Sequence, residues 1–280
     1  MRTRLLRGTA AGLAASSLLF AAACGGAAEA EEKPAPKASK APADPKAKSL
    51  SAAQVSAARL LVGDLPTGWS NADDQDEDED GDGDGTADAG EFGRADKKSC
   101  QPMVDLLNGK VGSAATAQDG SSFEGPDAGE YGPAHVSVEV GTFAPGKAAS
   151  TDKGFTDAVA ACDSSFHTTM DGAQLKVHVG QLSVPKVGDA AQGARLTMAM
   201  PETDEYEGTE MTIDLAQLRY GQSLVAVMYM GSGTNDAESF GTILRKSAQK
   251  LADVTDGKIK PSAADKSRAR DNEGEQRESA

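Results

Sequence analysis

Between Val136 and Met230 apolar residues recur at every second position in one segment after another, and this period constrains the fold more than any other feature. Val136, Val138 and Val140 alternate with Ser137 and Glu139. Leu175, Val177 and Val179 alternate with Lys176 and His178, and Leu196, Met198 and Met200 alternate with Thr197 and Ala199. Each segment predicts a strand with one buried face. Met211, Ile213 and Leu215 continue the pattern, whereas Leu224 through Met230 is apolar on both faces and predicts a central strand. Tyr220-Gly221-Gln222 predicts the tight connection between those last two.

The flanking segments change to a helical period. Ser51 through Leu61 places Val55, Ala58 and Leu61 on one side, and Asp64-Leu65-Pro66-Thr67-Gly68-Trp69 stops it. Ser99 is the expected N-cap of a second helix, with Pro102 in its first turn and Gly109 after it. A third is expected from about Asp152 to Cys162, on Phe155, Ala158 and Val159. The longest, about Asp236 to Val254, carries Phe240, Ile243, Leu244, Ala248 and Leu251 on one stripe. This order predicts an α+β fold, a mainly antiparallel sheet covered by helices, as a single domain over residues 50–255.

Residues 1–23 have the order of a signal peptide. Arg2, Arg4 and Arg7 precede a short uncharged run, and Ala21-Ala22-Ala23 leads directly into Cys24. The run is too short for an ordinary membrane-spanning helix. A cysteine after small residues resembles the lipobox of bacterial lipoproteins, although Ala21 stands where leucine is usual. The resemblance implies cleavage before Cys24, acylation of its thiol and anchorage on the extracellular face of the cell membrane. Residues 24–49 then read as a flexible Ala/Pro/Lys tether, since Pro34, Pro36, Pro42 and Pro45 exclude a helix. Residues 256–280, charged and poor in large apolar side chains, read as a disordered tail.

The formal net charge of −15 is concentrated in residues 73–91, which hold eight Asp and three Glu and no base. The remainder is only mildly acidic, so the total is poor evidence for a basic partner, but it argues against nucleic acid, which a basic groove would be needed to bind. With Cys24 acylated, Cys100 and Cys162 are the two cysteines left, and an oxidising compartment favours their pairing as a structural disulfide. Metal ligation or redox chemistry is the alternative, but it lacks a CxxC or a histidine cluster nearby.

The run Leu60-Leu61-Val62-Gly63-Asp64-Leu65-Pro66-Thr67-Gly68-Trp69, then Cys100 opening a helix, a strand ending at Phe143, and Phe155 and Cys162 on a helix, resembles actinobacterial lipoproteins. It is also similar to the PknH-like extracellular sensor domains of mycobacterial receptor serine/threonine kinases, over about Ala52 to Val254. That resemblance implies a noncatalytic domain that senses or binds an extracellular ligand in a cleft. Kinase-linked relatives carry two disulfides, and this chain has cysteines for one.

Asp80-Gly81-Asp82-Gly83-Asp84-Gly85-Thr86-Ala87-Asp88-Ala89-Gly90-Glu91 matches the calcium-loop pattern. Asp80, Asp82, Asp84 and Asp88 would offer side-chain oxygens, Thr86 its carbonyl and Glu91 the closing carboxylate, around a hard cation. Ala87 replaces the usual bulky apolar residue, and Asp/Gly-rich runs meet the pattern by chance. The plain expectation is therefore a solvated acidic loop that collects cations weakly, with a Ca²⁺ site as the alternative. His135 and His178 fall on the polar phase of strands, where they could lie side by side, although surface histidines are the ordinary case. Ser247-Ala248-Gln249-Lys250 matches a serine-x-x-lysine pattern without the further motifs of penicillin-recognising enzymes. Trp69 and the Met-rich strands read as core. The expectation is thus no enzyme, but a membrane-anchored sensor that binds a small ligand, with a structural or interaction protein of the envelope, calcium-modulated through residues 73–91, as the alternative.

Overall fold

The alternating segments pair edge to edge in the computed structural model, which describes residues 48–72, 92–108, 114–127, 133–162, 164–170, 172–199, 210–232 and 235–278. The elements run α1 (Ala52–Ala58), β1 (Ser70–Asn71), α2 (Gln101–Leu107), β2 (Ala117–Asp127), β3 (Pro133–Thr142), α3 (Lys147–Ala161), β4 (Ser165–Met170), β5 (Ala173–Leu182), β6 (Ala190–Ala199), β7 (Glu210–Tyr220), β8 (Ser223–Ser232), α4 (Ala237–Thr255) and α5 (Ala263–Glu278). Among the described residues the strands form one sheet of order β1-β2-β3-β8-β7-β6-β5-β4, and every neighbouring pair is antiparallel. The fold is α+β. The doubly apolar strand β8 takes a central place between β3 and β7, because only a strand covered on both faces removes two sets of side chains from water. Gly221, at φ 61°, supplies the left-handed residue of the two-residue β7–β8 turn.

Strand period two divides the core between the faces. On one face Val136, Val138, Val140, Val225, Val227 and Tyr229 pack under Val55 and Leu60 and under the α4 stripe of Phe240, Ile243, Leu244, Leu251 and Val254. On the other, Leu175, Val177, Leu196, Met198 and Ile213 pack under Phe155, Met103 and Val104 of α3 and α2. Asp236 caps α4, its carboxylate accepting from the Glu238 and Ser239 amides at 3.0 and 3.3 Å. Leu244 is fully buried, and Leu244→Ala would cost about 2–5 kcal/mol. Residues 92–96 lie along the outer edge of β4, where the Gly93 and Asp96 amides donate to the Thr169 and His167 carbonyls. That contact satisfies an edge otherwise open to pairing.

Three expectations are corrected. The segment read as a disordered tail contains α5, which packs on α1. It has no apolar stripe to announce it, and it docks through Arg268 and the small buried Ala269. Helix α3 starts at Lys147, five residues before the expected Asp152, after Gly146 in the left-handed region at φ 81°. Ser99 sits inside a short 3-10 turn, Lys98–Cys100, and no side chain caps α2. Strands β1, β2 and β4 have no counterpart in the sequence-based expectation. In β2 the core-facing positions include Asp119 and Ser121, so the apolar alternation is missing.

Candidate ligand-binding cleft

Strand β3 carries valines on its α4 face and Ser137, Glu139 and Gly141 on the other. In isolation that second set reads as a solvated face. Its neighbour β8, however, presents Leu224, Ala226 and Met228 on the same side, and Glu139 lies directly opposite Ala226. The small side chains there leave space, and α3 and α2 stand over it without filling it. The result is an open cavity of about 250 Å³ floored by Ala226, Met228 and Leu215 and walled by Leu106 and Leu107 of α2 and Phe155 of α3. Gln118, Ser137, Glu139, Thr151 and Gln217 bring polar groups into it. A mainly apolar concavity with a few converging polar groups is the usual form of a small-ligand site.

Both walls are tied down by identifiable bonds. Cys100, just before α2, is joined to Cys162, just after α3, with Cα atoms 4.7 Å apart across 62 residues of chain. Asp152 of α3 accepts from the Gln192 amide at 2.7 Å and from Gln217 Nε2 and Arg219 Nε at 3.4 Å each. This network holds Thr151 and Phe155 in place over the floor. Burial pushes the Glu139 carboxyl above its ordinary range, and among the described residues no hydrogen bond or ion pair offsets that desolvation. Glu139 is the one titratable side chain lining the cleft among the described residues.

Sequence reasoning did not single out Glu139 as a site residue. The available signal was the second apolar face of Leu224–Met230, which needs a partly covered neighbour on that side. The other candidates disperse. Cys24 and the calcium-loop residues Asp80, Asp82, Asp84, Thr86, Asp88 and Glu91 lie outside the described residues. His135 and His178 occupy opposite faces of the sheet with β8, β7 and β6 between their strands, so they are not neighbours, because the strand order separates β3 from β5. His167 instead meets Asp96 at 3.1 Å. Ser247 is buried and donates to the Ile243 carbonyl at 2.9 Å, while Lys250 is engaged with Asp64 at 2.5 Å. Trp69 packs edge-on against Tyr229 with ring centroids 5.8 Å apart. Met198 is buried in the core, but Met228 lines the cleft. Among the described residues there is no group of three or more His, Cys, Asp or Glu side chains placed to hold a metal ion, and no helix long and apolar enough to cross a membrane.

No protein-family model matches the chain, and no curated protein matches it. The solved structures similar to it include the extracellular domain of PknH from Mycobacterium tuberculosis. The two are 15% identical with a TM-score of 0.49, over 74% of this chain and 98% of that one. A likeness of this size carries no statement about what the chain binds.

Proposed function

We propose that this chain is a noncatalytic ligand-binding protein, anchored by acylated Cys24 on the outer face of the cytoplasmic membrane. The cleft between α2, α3 and the β3–β8 floor is the observation that carries the ligand-binding half of this reading. The order of basic residues, short apolar run, three alanines and Cys24 carries the anchoring half. Roles for the two halves are separable. The anchor sets where the domain works, and the cleft, stiffened by Cys100–Cys162 and the Asp152 network, sets what it selects.

The cleft is tested by thermal melts of the full chain against a panel of small apolar and amphipathic molecules, with Ala226→Trp as the comparison. A ligand at a hundredfold above its dissociation constant adds about 2.7 kcal/mol and raises the melting temperature. The bulky indole at Ala226 removes that rise. A rise that survives Ala226→Trp places binding elsewhere, and no rise with any member of the panel overturns the ligand-binding reading. The anchor is tested by Cys24→Ser, which releases the protein from membranes into the medium. Retention of that variant with membranes overturns lipid anchorage.

A further inference from the structure

Glu139 enters an apolar cleft, and among the described residues nothing neutralises it. Gln118 and Gly120 flank it from β2, Ala226 and Met228 from β8, and Leu106 faces the same space from α2; none of these carries charge. Charged side chains on that face of strands β2, β3 and β7 have partners of their own. Glu124 and His135 stand 3.7 Å apart toward the far end of the β2–β3 pair, and Arg219 is shared between Asp152 and Asp189. A carboxylate held among leucines, an alanine and a methionine is costly to the free protein. Such an arrangement persists where a bound partner supplies the missing charge, since a charge-assisted hydrogen bond gains strength in a partly desolvated site.

Resting on the reading of the cleft as a ligand site, we infer that it takes a small monocationic amine with a compact apolar body, the ammonium on Glu139 and the body against Met228, Leu106 and Phe155. The ammonium donates to the Glu139 carboxylate. Ser137, two residues along the same strand face, and Gln118 are placed to accept further ammonium protons. The volume of about 250 Å³ suits one aromatic ring or a short alkyl chain. A carboxylate ligand of the same shape is repelled by Glu139, and a neutral alcohol keeps the apolar contact while losing the ion pair.

The test uses three probes of equal shape on the full chain: 2-phenylethylamine, 2-phenylethanol and phenylacetate, with binding read by calorimetry. The amine is expected to bind roughly ten to a hundredfold more tightly than the alcohol, and phenylacetate more weakly than either. Glu139→Gln, which keeps the side-chain shape, is expected to bring amine and alcohol to within a fewfold of each other. On the unaltered protein, acidification that protonates Glu139 is expected to shrink the same preference, which gives a readout independent of whether the variant folds. Equal binding of amine and alcohol to the unaltered protein overturns the amine assignment while leaving the cleft a ligand site. A preference that persists in Glu139→Gln and at acid pH also overturns it. Failure of all three probes to bind overturns it as well, and the wider melt panel then decides whether the cleft binds anything.

Discussion

Arg268 of α5 directs its Nε at both carboxylate oxygens of Asp119 in β2, at 2.9 and 3.2 Å, across 149 residues of sequence. Asp119 is almost fully buried on the face that carries α1, and Ser56 of α1 donates to its second oxygen. One carboxylate therefore joins β2, α1 and α5. The arrangement also accounts for β2 having an acid where an apolar residue is expected: the position is a polar junction beneath two helices.

Arg268→Ala leaves Asp119 with the Ser56 hydroxyl and the Gly120 amide and is expected to cost about 1–3 kcal/mol, less than a fully buried pair because Arg268 is 46% exposed. Urea unfolding of the full chain measures it. A variant as stable as the parent would show that the Arg268–Asp119 contact contributes nothing to the folded state.

The pair Arg195–Asp214 joins β6 to β7 through two parallel hydrogen bonds of 2.6 and 2.7 Å, with the Asp214 side chain fully buried. The ion pair holds the Arg195 guanidinium pKa above its usual value, chiefly through the hydrogen bonds to Asp214. Arg195→Ala strands a buried carboxylate and is expected to cost about 3–5 kcal/mol. Arg195→Met combined with Asp214→Leu is expected to recover most of that loss, since it removes both charges together. A double variant no more stable than Arg195→Ala would show that the position needs its charges for more than mutual compensation.

Opening the Cys100–Cys162 bond is expected to cost about 4 kcal/mol on the chain-entropy account, for a loop of 62 residues. Because the bond ties α2 to α3, the Cys100→Ser, Cys162→Ser double variant is also expected to weaken cleft binding more than it changes the far α4 face. Melting curves with and without reductant, followed by ligand binding below the lowered midpoint, separate the two effects. Unchanged ligand affinity in the reduced protein would show that α2 keeps its place without the bond.

Glu139→Gln is expected to raise the stability of the unliganded protein at neutral pH. The folded-state carboxyl has its pKa raised by desolvation, so the unfolded chain holds the ionised form more favourably and the folded state bears a penalty above that range. As pH falls and both states become protonated, the penalty disappears and the gain from Gln shrinks. Denaturant midpoints at neutral and acid pH measure this. An equal gain at both would assign the effect to packing rather than to charge. Asp64 works in the opposite sense. Burial opposes its ionisation, but Lys250 and the Leu61 amide hold its carboxyl below the usual range. Its contribution is present above the unfolded carboxylate range and is lost as pH falls through the depressed folded value, so Asp64→Asn is expected to reduce stability at neutral pH more than at acid pH.

Period two in Val136–Val140, Leu175–Val179, Leu196–Met198 and Met211–Leu215, and the doubly apolar Leu224–Met230, determined five strands and the central place of one of them, because burial of a side-chain face is written in its own residues. The α4 stripe and the helix start near Asp236 were legible for the same reason. Three features were decided only by tertiary structure: the junction at Asp119, the docking of α5, and the cleft around Glu139. Each depends on groups far apart in the chain. Asp119 is tolerable in the core because Ser56 and Arg268, distant in the chain, meet it together with the neighbouring Gly120 amide. The side of β3 that carries Ser137 and Glu139 reads locally as solvated, and it becomes a cleft wall only because β8 pairs beside it and the disulfide holds α2 against α3. Local sequence records whether a residue is apolar, whereas the cost of burying a charge is set by which partners the fold brings to it.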